Sequence, residues 1–104
     1  MVNPMRGEVE ITLDGVPHAA RLTLGALAEL ETQLATGSLV EMAGRFETGR
    51  FSAADVIHVI VAGLRGGGWS GTRDDLLCTD VAGGAVAAAQ AAAQLLAAAF
   101  VVPQ

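Results

Sequence analysis

Lysine is absent from the 104 residues, and the six positive charges are arginines set singly at Arg6, Arg21, Arg45, Arg50, Arg65 and Arg73. A phosphate-tracking surface needs clustered positive charge. Eleven acids leave a formal charge of −5, so nucleic-acid binding is not expected. Charged residues of both signs make up only 16% of the chain, below the usual quarter. Cysteine is reduced to Cys78, which excludes an intrachain disulfide and a disulfide-stapled secreted module and fits a reducing compartment. The first eight residues hold no apolar h-region, so a signal peptide is not expected. Residues 81–104 carry no charge at all, but they are mostly alanine, interrupted by Gln90 and Gln94. Alanine contributes little to bilayer insertion, so this stretch reads as a buried or partner-facing helix rather than a membrane span.

What is present argues for one folded unit. Hydrophobic residues are 52% of the chain, too many for disorder, and the length suffices for a single modest core. The domain is therefore expected to cover 1–104. Val9, Ile11 and Leu13 alternate with Glu8, Glu10 and Thr12, the period of a half-buried strand. Asp14-Gly15 supplies the positive φ angles of a two-residue hairpin turn, which predicts a hairpin over about 7–23 with a return strand from His18 to Leu22. Two strands alone are marginal in water, so the hairpin must lie on something.

That something is helical. Helices are predicted over about 24–35, 39–48, 53–65, 73–78 and 85–101. Thr23 is positioned to cap the first, with Leu24, Leu27 and Leu34 as its apolar stripe. Ser38 with Glu41, and Ser52 with Asp55, read as capping boxes. Thr36-Gly37, Gly49, the Gly66-Gly67-Gly68 run and Gly83-Gly84 punctuate the chain. The third helix is apolar over more than half its circumference and is expected at the centre of the core. In the last helix Val86, Ala89, Ala93, Leu96 and Phe100 fall on one stripe, which either completes the core or meets a partner. The fold class is thus α+β: an N-terminal antiparallel β-hairpin packed on four to five short helices.

No constellation of residues encodes catalysis. Gly66-Gly67-Gly68-Trp69-Ser70-Gly71 follows a helix rather than a strand and has no lysine to meet a phosphate, so it is read as a helix terminator. Cys78 with His18 or His58 lacks a third group to orient the imidazole. Two histidines and one cysteine at scattered spacings make no zinc pattern, and Asp74, Asp75 and Asp80 lack a calcium loop. No catalytic residue, metal or cofactor is expected. Trp69 is either an interface anchor or folded back over the core.

The run Gly7-Glu8-Val9-Glu10-Ile11-Thr12-Leu13-Asp14-Gly15, followed by Arg21-Leu22-Thr23-Leu24-Gly25-Ala26-Leu27-Ala28-Glu29-Leu30-Glu31, resembles the small gene transfer agent proteins of alphaproteobacterial phage-like tail clusters. Arg45-Phe46-Glu47-Thr48-Gly49-Arg50-Phe51-Ser52, Gly63-Leu64-Arg65-Gly66 and Ala98-Ala99-Phe100 extend the resemblance over about residues 6–100. Trp69-Ser70-Gly71-Thr72 and Cys78-Thr79-Asp80 depart from it.

The resemblance implies phage tail morphogenesis in a bacterial host, either as a tail assembly chaperone for the tape-measure protein or as a tail tube or minor tail component. A generic protein-interaction module stands as the alternative outside any phage setting. Tube folds are generally β-rich, and one hairpin with four to five helices favours the cytoplasmic chaperone. The implied partners are the tape-measure protein and tail tube subunits. The family supplies no catalytic residues. From physics alone, Trp69, Leu95, Leu96, Phe100, Val101 and Val102 are the candidate partner contacts, in a helix-in-groove mode. The last helix is expected to pack one face on its own domain and offer the other to a second copy or a client helix.

Overall fold

The computed structural model describes residues 7–34 and 38–100. Asp14 and Gly15 have φ of 50° and 80°, the pair of left-handed values that a type I′ turn requires. Strand β1 (Val9–Leu13) therefore turns directly into β2 (Val16–Ala20), pairing Leu13 with Val16, Ile11 with His18 and Val9 with Ala20. The return strand begins two residues before His18 and ends at Ala20. Ile11, Leu13, Ala20 and Leu22 are all buried.

Five helices follow among the described residues: α1 (Leu24–Gln33), α2 (Leu39–Thr48), α3 (Ala53–Gly66), α4 (Arg73–Leu77) and α5 (Gly84–Ala99). Their starts are set by short polar side chains. Thr23 Oγ1 accepts from the Ala26 N–H at 3.1 Å, and Ser38 Oγ from the Glu41 N–H at 3.2 Å. Reciprocal capping boxes form at Ser52–Asp55 and Thr72–Asp75. At Ser38 only the serine half of the expected box is present. Gly49 closes α2 with φ of 75°, a value that favours glycine. Helix α1 stops at Gln33 rather than 35, and the expected Thr36-Gly37 stop lies outside the described residues. Helix α5 ends at Ala99 rather than 101.

Helix α3 sits at the centre as expected, with Val59, Ile60, Ala62 and Leu64 buried and α1, α4, α5 and β2 packed around it. The Arg21 N–H donates to the Gly63 carbonyl at 2.8 Å, tying the hairpin's exit to the last turn of α3. The buried side chains of hairpin and helices form one cluster. The observed class is α+β.

In two helices part of the expected stripe points outward, although Leu27 and Leu34 of α1 do pack against the core. Leu24 is 87% exposed, while Ala26 and Leu30 face the core. Leu24 lies two positions before Ala26, about 200° around the helix, so it cannot share the buried side. In α5 the buried residues are Ala91, Ala92, Leu95 and Leu96. Val86 is 70% exposed and Phe100 42%, so the stripe is divided: Leu96 is buried and Ala89 and Ala93 half-buried, while its two ends point outward. Alanine-rich helices carry little amphipathic signal, and the adjacent bulky pair Leu95-Leu96 turns this one toward the core.

Candidate functional site

With the core assigned, the side chains left for other molecules can be located. Leu95 and Leu96, anticipated as partner anchors, are 1% and 2% exposed and are used in the chain's own core. Phe100 remains accessible as the C-cap of α5. Val101 and Val102 lie outside the described residues. Trp69 is half-buried and packs against the core. Its backbone N–H donates to the Leu64 carbonyl at 2.9 Å, and its ring lies against Gly71, where a β-carbon would collide with it. The glycines of this loop thus let the indole fold back over the domain.

An open groove of about 400 Å³ runs between α2 and α5. Phe46 and Leu96 form its floor, Ala43, Ala93 and Ala97 its walls, and Glu47 and Phe100 its rim. Phe46 is held by a parallel stack on Phe51, with ring centroids 4.7 Å apart. The α2 helix is in turn fixed to α3 by Arg45, whose Nε and Nη2 donate to the two oxygens of Asp55 at 3.2 Å each. Burial pushes the Asp55 carboxyl up. The Ser52 backbone N–H, the Arg45 guanidinium and the Ser52 hydroxyl outweigh burial and hold it below its ordinary value. A capping residue and one partner of an interhelix pair are here the same side chain.

A second recess, about 190 Å³, lies among α1, α3 and the start of α4, lined by Glu29, His58, Arg65 and Arg73 with Leu30 and Val61. Arg65 Nε pairs with Glu29 Oε1 at 3.0 Å across it. The three groups considered for chemistry are distributed over separate elements. Cys78 is the exposed C-cap of α4, His18 is in β2 and His58 in α3. Among the described residues no group of three His, Cys, Asp or Glu side chains gathers to hold a metal, and no helix is long and apolar enough to cross a membrane.

Sequence reasoning missed Val40, 72% exposed, and Leu24 as outward apolar side chains. For Val40 a signal existed. It precedes Gly44 and Glu47 by four and seven residues in α2, which places it on the polar side. The segment that departs from the family pattern also has a definite place. Asp80 N–H donates to Asp14 Oδ1 at 3.0 Å, Asp14 N–H to the Asp80 carbonyl at 2.8 Å, and Ala82 N–H to the Thr12 carbonyl at 3.0 Å. It clamps the hairpin turn.

A family model described as "Phage tail tube protein, GTA-gp10" matches residues 6–101. Comparison with curated proteins and with solved structures finds no match.

Proposed function

Because the chain belongs to the phage tail tube family GTA-gp10, and so to the phage-like tail proteins of gene transfer agents, we propose that it acts as a tail assembly chaperone for the tape-measure protein. The observation that supports this reading is architectural. The only sheet among the described residues is one hairpin of five-residue strands, and most of the rest is helix. Stacked tube walls call for extended sheets that continue between subunits, as β-sandwiches and barrels provide. Short helices with outward apolar side chains suit the transient cover of a partner's apolar helices.

Leu24, Val40 and Leu77 supply such side chains on three different helices. The role requires no catalytic step, cofactor or metal. The chain would act in the host cytoplasm while the tail is assembled and leave before the particle is complete. A retained tube or minor tail component is the second reading, favoured by the family's own description.

Co-expression with the tape-measure protein tests the proposal. A soluble complex of the two, with tape-measure protein aggregating when this chain is omitted, is the expected result. If the chain ignores the tape measure and co-polymerises with tube subunits instead, the chaperone role is refuted.

A further inference from the structure

Opposite the buried side of α5, Val86, Gln90, Ala97 and Phe100 are exposed and Ala93 is half-buried at the edge of the core. The five follow alternating steps of four and three, the spacing of a coiled-coil seam. The pattern is nearly symmetrical about Ala93, with the two bulky side chains seven positions away on either side. An isologous contact needs a patch complementary to itself, and this one is when reversed end to end. We infer that the outward face of α5 pairs antiparallel with the same face of a second copy of this chain, about a two-fold axis at Ala93.

Packing and charge both favour that occupant. Small side chains at Ala93 and Ala97 let two helix backbones approach at the crossing. Away from it the helices diverge, and Val86 with Phe100 of the second copy fills the widening gap. Each copy carries a formal charge of −5, yet α5 has no charged residue, so two copies meet here without opposing acids.

The register adds a complementary pair. Glu47 lines the groove beside Ala97 and Phe100, so the antiparallel arrangement sets it alongside the first turns of the second copy's α5. Among the described helices, α5 is the one whose N-terminus has no side-chain cap, and its first turn holds no acid. A carboxylate there complements the helix dipole. This pairing goes beyond the chaperone role and does not depend on it.

The test combines sedimentation with cross-linking of the full chain. Wild type should sediment as a dimer, and A97E should raise the dissociation constant by at least roughly tenfold with an unchanged far-ultraviolet spectrum. Ala97 is exposed, so folding is preserved. In a Cys78→Ser background, Ala93→Cys should oxidise to a disulfide with itself. A mixture of Val86→Cys and Phe100→Cys proteins should be joined to each other by a short bis-maleimide, because the diverging helix ends lie beyond the reach of a direct disulfide. A monomer at the highest soluble concentration, a dimer indifferent to A97E, or Val86→Cys joining only to itself would overturn the inference. So would a face that only a tape-measure segment occupies.

Discussion

Gly63 of α3 lies directly beneath Leu95 of α5, so closely that a β-carbon at Gly63 would stand 2.6 Å from Leu95 Cδ1. The missing side chain is what lets the last helix settle on the central one. Gly66 and Gly67 do the same toward the hairpin, where added β-carbons would strike the Arg21 and Ala19 carbonyls. One end of α3 is thus kept bare so that strand and helix can both close on it.

Gly63→Ala should therefore lower stability by about 1–3 kcal/mol, the usual range for overpacking. Leu95 is a flexible side chain and can yield, whereas backbone carbonyls cannot, so Gly66→Ala should cost more. Gly44 in α2 has open space around its Cα, and Gly44→Ala should instead stabilise by roughly 0.5–1 kcal/mol. Urea unfolding of the three variants checks both the order and the change of sign.

Helix α1 gives a second contrast. Leu30 is 0% exposed and Leu24 is 87% exposed. Leu30→Ala should cost about 2–5 kcal/mol, while Leu24→Ala should stay within about 0.5 kcal/mol of wild type. Equal costs in thermal or urea unfolding would mean that the helix packs in the phase its leucines suggested.

Asp55 makes a prediction in acid. Its carboxyl is held below its ordinary value against burial by Ser52 and Arg45. A depressed carboxyl pKa stabilises the fold above the unfolded value near 3.9, and that stabilisation is lost as pH falls through the lower folded value. Asp55→Asn should accordingly be less stable than wild type at neutral pH, with the gap narrowing through the acid range below the unfolded value. Unfolding curves measured at a series of pH values would show it. A gap that stays constant into strong acid would show that the ionised carboxylate is not what holds α2 to α3.

Much of this fold was legible because it is specified locally. The Asp14-Gly15 turn, the Thr23 and Ser52 caps and the Gly49 terminator each depend on residues within a few positions of one another. What could not be read locally is the rotation of a helix whose apolar residues do not favour one side. In α1 leucines appear on both sides, and in α5 alanine makes every face nearly equivalent. There the phase is decided by distant partners, by Gly63 receiving Leu95 and by the core accepting Leu30. The same uncertainty displaced the candidate contacts. Leu95 and Leu96 lie inward because α5 is turned toward α3, leaving Phe100 outward. The clamp between Asp14 and Asp80 spans 66 positions and has no local signature.

The most direct test of the chaperone role is quantitative mass spectrometry of purified mature particles beside assembly intermediates. The chain should accompany the tape-measure protein in intermediates and be absent, or far below stoichiometric, in finished particles. A fixed ratio of this chain to the tube subunit in finished particles would contradict that role and assign the chain to the tail itself.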